Sequence, residues 1–595
     1  MSRAALVLAA LVILDPIPAH ADGPIPVQVV RTADGWQLLR GGGPYFIKGA
    51  GGSTSLKTLA EAGGNSIRTW GVDHADAILD EAKRLGLTVT LGIWLGHERH
   101  GFDYNNPDQV ARQLESARQA ILRYKDHPAL LMWGLGNEME GPKGDRAAIW
   151  SAVNNIAAMA KQLDPNHPTM TVVAEIGGEK VKNVHRLCPE IDVVGINSYG
   201  GAPTLADRYR KAGGTRPFVL TEFGPNGSWE VEKTRWGAPF EPTSTQKAAT
   251  YRQTYLRCVA ANRNLCLGSY AFVWGHKQET TATWFGLFLP DGARTPAVDD
   301  LTELWSGRPP ADRCPTIRPL RLEGPTELDP GASARVALSA DDPEHGPIRV
   351  RWELRREGAY ASGGDAEAVP PAFPNAIVQP TQNGVTLKMP EGGGGYRLYA
   401  FVYDRQGGAA SASLPLFVKG RVAMPKAQHA ALPLVVYEEP DRPQAFAPSG
   451  WMGNQAAVKL DPNCREAPHS GRACIRVEYN DRRDWAGVVW QHPANDWGDV
   501  PGGYNLTGAK RLTFWARGAK GGEFVGFAFG LIPREKPFHD TAHGKLERVP
   551  LSAEWKRYSI DLTGQDLSRI ISGFCWTATG DDGPLMFFLD EIRFE

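Results

Sequence analysis

The strongest indications of the fold are two stretches of sequence, Ala129-Leu-Leu-Met-Trp-Gly-Leu-Gly-Asn-Glu138 and Pro217-Phe-Val-Leu-Thr-Glu-Phe-Gly224. Each begins with a short apolar run, which is typical of a buried strand. Each places a glutamate, Glu138 or Glu222, where that run ends. Because parallel strands end at the same edge of a sheet, the pattern predicts that two distant carboxylates lie on one rim.

The surrounding sequence alternates apolar runs with helical patterns from Tyr45 to Trp305, which predicts β/α units. Amphipathic stretches such as Asp76–Leu85 and Pro107–Tyr124 lie between the runs. The apolar runs are Tyr45–Gly49, Ser66–Trp70, Thr88–Leu95, Leu130–Leu135, Met170–Glu175, Val193–Tyr199, Phe218–Thr221 and Gly268–Trp274. We therefore expect an α/β fold, a (β/α)8 TIM barrel, over residues 22–310.

The character of the chain changes after the Pro-rich stretch Ser306–Pro315. Short alternating strands with Gly, Pro and Asp turns then predict an immunoglobulin-like β-sandwich over residues 316–420. A further β-rich region, residues 433–595, is predicted to be a β jelly-roll domain. The strands expected in these two regions are Ala334–Leu338, Ile348–Leu354, Val385–Met389, Tyr396–Tyr403, Ala473–Tyr479, Arg511–Ala516, Val525–Gly530, Lys556–Asp561 and Met586–Phe594.

The first residues have the pattern of an export signal. Arg3 precedes the apolar run Ala4–Leu14, and Ala19-His-Ala21 is an Ala-x-Ala cleavage site. We expect residues 1–21 to be a signal peptide and the mature protein to be secreted or periplasmic. No later stretch is apolar enough to predict a membrane helix.

The composition of the chain indicates which kinds of molecule the protein binds. A formal net charge of -1 gives no support for nucleic acid or an anionic membrane surface, and 18 Trp suit the flat faces of sugar rings. No metal-ligand spacing is present and we infer no cofactor. We also infer no obligate protein partner. With 7 Cys, at least one thiol must remain unpaired in an oxidising compartment. Cys464 with Cys474 and Cys258 with Cys266 are candidate disulfide pairs, and the sequence does not decide between paired and free thiols at either.

Two carboxylates on one rim are the catalytic groups that a glycosidase requires. A retaining enzyme needs one carboxylic acid to protonate the leaving oxygen and one carboxylate to attack the anomeric carbon, about 5–5.5 Å apart. A single glutamate at a strand end more often caps a helix or pairs with a surface Arg. Two of them in these contexts favour catalysis.

The stretch from about residue 36 to 306 resembles the clan A retaining glycoside hydrolases. Its sequence motifs are most similar to those in the barrel of glycoside hydrolase family 2, with some likeness to families five and seventy-two. The motifs that carry the resemblance are Ile47-Lys-Gly49, Gly64-Asn-Ser-Ile-Arg-Thr69, Trp133-Gly-Leu-Gly-Asn-Glu138 and Thr221-Glu-Phe-Gly224. One departure is that family 2 members usually carry their β-domains before the barrel, whereas here they follow it.

The resemblance implies roles for six residues. Glu138 would be the acid/base and Glu222 the nucleophile. Asn137 would bind the sugar 2-hydroxyl. Arg68 and Tyr199 would hydrogen-bond the nucleophile, and Trp274 would form the floor of the cleaved-sugar subsite. Trp94, His97 and Glu175 also fall near strand ends and are weaker candidates for the cleft.

The C-terminal region loosely resembles carbohydrate-binding modules, through motifs such as Arg511–Ala516 and Phe588–Phe594. Sugar stacking and core packing are both open for four of its tryptophans, Trp485, Trp490, Trp497 and Trp576. Asp590 is a candidate for holding a structural calcium, as in some of these modules. A tethered binder fits a polymeric substrate, because it raises the local concentration.

The expected function is therefore a secreted retaining hydrolase that cleaves β-glycosidic bonds in a polysaccharide or oligosaccharide, with β-glucan as the default. A β-glucan transglycosylase would use the same residues. A non-catalytic carbohydrate-binding envelope protein is the alternative from another class. A fourth hypothesis is a metal-dependent barrel enzyme that uses Glu138, Glu175 and His97 as metal ligands.

Overall fold

The structure is a computed structural model that describes residues 23–595, except 141–145, 359–363 and 421–425. The expected signal peptide, residues 1–21, lies outside the described residues. Three hydrophobic cores follow one another along the chain: one around the barrel helices, one in a β-sandwich and one in a C-terminal pair of sheets. Among the described helices, none has the length and apolarity that crossing a membrane requires.

A small antiparallel sheet precedes the barrel, which the sequence patterns did not predict. Its strands are β1 (Val27–Thr32), β2 (Gly35–Arg40) and β3 (Gly43–Tyr45). Val27 and Leu38 pack against residues at the start of barrel strands, including Ile47 and Val193. The sheet therefore covers the amino-terminal end of the barrel and leaves the opposite rim open for a site.

Eight parallel strands close into a barrel, as predicted. They are β4 (Ile47–Gly51), β5 (Ser66–Arg68), β6 (Thr88–Ile93), β7 (Leu130–Asn137), β8 (Thr169–Ala174), β9 (Val193–Asn197), β10 (Phe218–Phe223) and β11 (Cys266–Ala271). The order around the barrel is β10-β11-β4-β5-β6-β7-β8-β9. Each predicted run overlaps one of these strands, so the TIM barrel is confirmed and the carboxyl ends of all eight strands share one rim.

Helices surround the barrel between its strands. They are α1 (Leu56–Glu61), α2 (Ala75–Arg84), α3 (Pro107–Tyr124), α4 (Ala147–Leu163), α5 (Lys180–Leu187), α6 (Leu205–Lys211), α7 (Ser244–Thr254) and α8 (Pro296–Ser306). The start of α3 follows from local chemistry. Asn106 accepts hydrogen bonds from the amides of Asp108 and Gln109, and Pro107 occupies the first helical position.

The second region is a β-sandwich, as predicted. Its strands are β12 (Thr316–Ile317), β13 (Arg321–Glu323), β14 (Glu327–Leu328), β15 (Ser333–Ala337), β16 (Ala340–Asp341), β17 (Arg349–Arg356), β18 (Ile377–Pro380), β19 (Gly384–Lys388), β20 (Gly394–Tyr403) and β21 (Ala409–Val418). Two four-stranded sheets, β13-β15-β19-β18 and β14-β21-β20-β17, enclose a core that includes Leu354, Leu387 and Leu398.

The third region also consists of two packed antiparallel sheets. Its strands are β22 (Gln428–His429), β23 (Leu434–Tyr437), β24 (Ala447–Gly453), β25 (Val458–Cys464), β26 (Cys474–Tyr479), β27 (Trp485–Gln491), β28 (Tyr504–Asn505), β29 (Arg511–Gly518), β30 (Phe524–Phe529), β31 (Gly544–Pro550), β32 (Lys556–Asp561), β33 (Ser572–Thr579) and β34 (Leu585–Phe594). Trp490 and Trp576 lie in the core between the sheets. Their indole rings are therefore structural and do not stack on sugars.

All seven cysteines are buried thiols in the structure. Cys464 and Cys474 face each other across β25 and β26 as paired positions of the ladder. Cys258 and Cys266 lie close enough to interact, and burial is the main reason that the pKa of the Cys258 thiol is raised. Neither pair forms a disulfide bond here.

Candidate active site

The two glutamates that the sequence singled out both reach the carboxyl-terminal rim of the barrel. Glu222 lies in β10 and is only 5% exposed to solvent. Glu138 directly follows β7 and has a φ of 51°, in the left-handed region. Its amide donates to the carbonyl of Val172, 3.0 Å away, which fixes this turn at the rim.

Three donors converge on the Glu222 carboxylate. Arg68 Nη1 and Trp70 Nε1 donate to Oε1 at 3.0 and 2.9 Å. The Tyr199 hydroxyl donates to Oε2 at 2.9 Å. Burial, and then the charge of Glu222, raise the pKa of Tyr199 well above its ordinary value, so this phenol remains a donor. These three hydrogen bonds fix the direction of the Glu222 carboxylate, and the Arg68 guanidinium complements its negative charge.

Glu138 has a different environment. Its side chain accepts a hydrogen bond from the neutral Asn197, whose Nδ2 donates to Oε1 at 2.7 Å. Burial, followed by the charges of Glu222 and Glu140, raises its pKa to about 7. The two carboxyl groups therefore have different environments, because Arg68 and Tyr199 hold Glu222 by hydrogen bonds, whereas burial favours the protonated form of Glu138.

Asn137 joins the two halves of the site. Its Oδ1 accepts from Arg68 Nη2 at 2.6 Å and from Asn197 Nδ2 at 3.2 Å. Since Arg68 also contacts Glu222 and Asn197 also contacts Glu138, a continuous chain of hydrogen bonds links the two glutamates. The structure therefore brings Glu138, Glu222, Asn137, Arg68 and Tyr199 together in one pocket.

Trp274 does not belong to this pocket, contrary to the sequence expectation. Trp274 is only 1% exposed to solvent. The centroid of its ring lies 5.1 Å from that of Phe288 and 6.0 Å from that of Trp305. The physical reason is that β11 ends at Ala271, three residues earlier than Trp274. Phe272 lies nearer the site instead, with its ring against Trp70 and Tyr199.

Two functional candidates were missed by sequence reasoning as hydrogen-bond partners of the glutamates. Trp70 ends the predicted run Ser66–Trp70, and Asn197 ends β9. Both are polar-tipped residues at the ends of barrel strands, which is the signal that would have found them. Their partners depend on rotamers and on strand stagger, which the sequence does not encode locally.

Exposed aromatic rings flank the pocket. Trp94 is 42% exposed and its ring stacks on His97, with centroids 4.8 Å apart. Trp229 is 50% exposed and meets the ring of Tyr199 edge-on at 5.8 Å. The sequence had named Trp94 but not Trp229. Both rings offer an apolar face of the kind that binds sugars.

The residues proposed for a metal site do not converge. Glu175 accepts from Arg208 Nη1 at 2.8 Å and from Ser198 Oγ at 2.6 Å. Burial, with the charges of Arg99 and His100, lowers the pKa of His97 to about 4. Within the described residues, no group of three or more His, Cys, Asp or Glu side chains has the arrangement of a metal site.

Residues 59–228 match the family model described as glycosyl hydrolases family 2, TIM barrel domain. The Beta-glucuronidase of Sus scrofa is 27% identical over 196 residues, which cover 30% of this chain and 28% of that protein. The Beta-glucuronidase of Paenibacillus borealis is 28% identical over 184 residues, covering 27% of this chain and 29% of that protein. A solved Ruminococcus gnavus beta-glucuronidase aligns with a TM-score of 0.38 and 18% identity, over 48% of this chain and 53% of that one.

This chain spans less than a third of the length of each of those two proteins. The segment that matches the family model contains both Glu138 and Glu222. Residues 59–228 are therefore similar to the TIM barrel domain of the glycosyl hydrolases family 2.

Proposed function

We propose that this protein is a retaining β-glycoside hydrolase in which Glu222 is the nucleophile and Glu138 the general acid/base. The observation that carries the proposal is the contrast between the two carboxyl groups. Glu222 is held by Arg68, Trp70 and Tyr199. Glu138, linked to the same network, has a pKa of about 7.

In the first step, the Glu222 carboxylate attacks the anomeric carbon while Glu138 gives its proton to the glycosidic oxygen. The bond to the leaving group breaks and a covalent glycosyl-enzyme forms. Asn137 Oδ1 already accepts from Arg68 and Asn197. These bonds direct the remaining Nδ2 donor of Asn137 toward the sugar, where a 2-hydroxyl would accept it.

In the second step, Glu138 is a carboxylate and removes a proton from water. The water attacks the anomeric carbon, the ester bond to Glu222 breaks and the sugar leaves with its original configuration. Arg68 and Tyr199 stabilise the departing Glu222 carboxylate by the same hydrogen bonds that hold it in the free enzyme. If a sugar hydroxyl replaces water, the same step is a transglycosylation.

The substrate to test first is a β-glucuronide rather than β-glucan. The relatives from Sus scrofa and Paenibacillus borealis are both named Beta-glucuronidase. The deciding experiment is a panel of aryl β-glycosides, with β-glucuronide, β-glucoside, β-galactoside and β-mannoside, beside β-glucan and an added acceptor alcohol. Hydrolysis of an aryl glycoside that is lost in Glu222→Ala supports the proposal, and inactivity toward the whole panel contradicts it.

The third region is proposed to bind glycans through a groove on the outer face of its five-stranded sheet. The groove has a volume of about 290 Å³. Small residues such as Gly526 and Ala528 make room for it, and Thr577 and Arg548 supply polar groups. Trp485, 47% exposed, offers a flat face elsewhere on the same sheet.

Binding of the full chain to soluble polysaccharides, measured by affinity electrophoresis, tests this groove. Ala528→Trp fills it and should abolish retardation, whereas Lys556→Ala, on the opposite sheet, should not. Retardation that survives Ala528→Trp would contradict the assignment. We do not propose Asp590 as a calcium ligand, because its Oδ2 already accepts from the amides of His469 and Ser470 at 2.9 and 3.1 Å.

Export completes the proposal. Arg3, the apolar run Ala4–Leu14 and the Ala19-His-Ala21 site support cleavage after Ala21 and a secreted or periplasmic location. Mass measurement of the protein recovered from its native host tests this step, since an intact amino terminus would contradict it.

A further inference from the structure

The β-sandwich sends a segment onto the catalytic rim of the barrel. Residues 364–367 lie between β17 and β18 and contact two barrel loops, one after β6 and one after β11. The sandwich follows the barrel in sequence, and nothing in the sequence patterns indicated that it takes part in the site.

On one side, Asp365 holds the loop that carries the exposed aromatic platform. Its Oδ1 accepts from Arg99 Nη2 at 3.3 Å, and its Oδ2 lies 3.2 Å from His100 Nε2. Arg99 Nη1 in turn lies 2.9 Å from His97 Nδ1. The His97 ring stacks on Trp94. Asp365 is therefore connected to Trp94 through two intervening side chains.

On the other side, Gly364 and Glu367 hold the loop after β11. The Gly364 carbonyl accepts from Lys277 Nζ at 3.1 Å, and Glu367 Oε2 accepts from the Thr280 amide at 2.6 Å. Lys277 Nζ lies 5.3 Å from the centroid of Phe272. Phe272 contacts Trp70 and Tyr199, which both donate to Glu222.

The barrel order shows where this segment stands. Between β11 and β6 lie β4 and β5, and β5 ends at Arg68 beside the nucleophile. By the shorter path around the barrel, the segment that joins the loops after β11 and β6 lies on the side of β4 and β5. Glu138 follows β7, outside that span.

The sandwich is fixed firmly enough to act as a wall. Arg397 is 1% exposed, donates through Nε to Glu357 Oε1 at 2.9 Å and donates through Nη2 to the Pro239 carbonyl of the barrel at 2.8 Å. Ser413 donates to Glu241 Oε2 of the barrel at 2.8 Å. Buried charge-assisted bonds of this kind hold two surfaces in one geometry.

We propose that residues 364–367 of the β-sandwich form an end wall of the sugar pocket, so that the enzyme removes terminal sugars and does not cut within a chain. The proposal rests on the proposed function. The proton donor must face the leaving oxygen, so the leaving group extends toward Glu138. The wall stands across the other end, where further sugars of an internally bound chain would have to lie. Asp365 is a positioning residue in this arrangement, because it acts through Arg99 and His97.

The first test is the product pattern of the wild-type enzyme on an oligosaccharide of the sugar that the aryl glycoside panel identifies. We expect only monosaccharide, released from the non-reducing end, at all times of the reaction. Early release of longer fragments, with aryl glycosidase activity intact, overturns the wall and leaves the proposed function standing. The aryl glycoside result tests the hydrolase proposal separately, because it does not depend on where a chain is cut.

The second test compares Asp365→Ala, Asp365→Asn and the control Asp329→Ala, which removes an exposed ion pair with Lys419 inside the sandwich. Asp365→Ala should raise KM about fivefold with kcat within about twofold of wild type, since the contacts of Glu222 and Glu138 do not include Asp365. Asp365→Asn retains hydrogen-bonding groups and should restore most of the KM. An unchanged KM in Asp365→Ala, or an equal rise in Asp329→Ala, overturns the proposal, with thermal unfolding confirming that each variant is folded.

Discussion

Arg68 and Glu222 form a buried ion pair, with 3.0 Å between Nη1 and Oε1, although they lie 154 residues apart in sequence. The same guanidinium donates through Nη2 to Asn137, at 2.6 Å. One planar group therefore sets the position of the nucleophile and of the residue that precedes the acid. A lysine would carry the charge without this two-pronged geometry.

Replacing Arg68 should reduce catalysis more than it reduces substrate binding. Arg68→Lys should lower kcat about a hundredfold, and Arg68→Met should lower it further, because the buried Glu222 carboxylate loses its cation. Steady-state kinetics on an aryl glycoside would measure the loss. Arg84→Met, which removes a surface pair with Glu81, is the matched control. Wild-type kcat in Arg68→Met would contradict the arrangement.

Removing the Glu222 carboxylate should abolish turnover. Glu222→Ala is expected to lose more than about a thousandfold in kcat, because no covalent intermediate can form. Added azide should then enter the vacated space, attack from that face and give a glycosyl azide of inverted configuration. NMR of the product identifies it. A retained configuration would assign the nucleophile to a different residue.

Glu138→Ala should affect substrates according to their leaving groups. An activated aryl glycoside needs no proton to leave and should lose little in the first step, whereas a poor leaving group should slow by about a hundredfold or more. Azide should accelerate this variant too, but yield the product of retained configuration, because it attacks the glycosyl-enzyme. Equal losses on both types of substrate would be incompatible with an acid role for Glu138.

The barrel and much of the site could be predicted from the sequence because their signals are local. Apolar runs mark buried strands, so β7 and β10 were placed within a few residues, and with them Glu138 and Glu222 at one rim. The predicted helix Pro107–Tyr124 matches α3, since Asn106 and Pro107 encode its start.

What the sequence did not disclose depends on how the chain turns after a strand ends. Trp274 was expected in the pocket, but the chain leaves the barrel after Ala271 and directs that ring toward Trp305. The contacts of Trp70 with Glu222 and of Asn197 with Glu138 arise from side chains on different strands. Such long-range pairings follow from barrel closure and have no local pattern.

The pH dependence should report the two carboxyl groups together. Activity requires Glu222 ionised and Glu138 protonated, so the profile of kcat/KM should be bell-shaped. Because burial and the charge of Glu222 raise the pKa of Glu138 to about 7, activity should fall as the pH rises above that value. In Glu138→Gln, assayed with an activated aryl glycoside, the alkaline limb should be absent. A limb that persists there would belong to another group.

The stability of the protein should carry the same signature. The folded-state pKa of Glu138 is about 7, above its ordinary value of 4.5, so the native state holds a proton that the unfolded chain releases. The stability contributed by the protonated form is complete below the pKa of Glu138 in the unfolded chain and is lost as the pH rises through its pKa in the folded protein.

Glu138→Gln cannot ionise and is free of this loss. Its unfolding temperature relative to wild type should therefore rise between about pH 5 and about pH 8, whereas that of Glu61→Gln, on the surface of α1, should not. Calorimetry at several pH values measures both differences. A constant difference for Glu138→Gln would mean that the native carboxyl ionises as in the unfolded chain, and the assignment of Glu138 as the protonated partner would then be wrong.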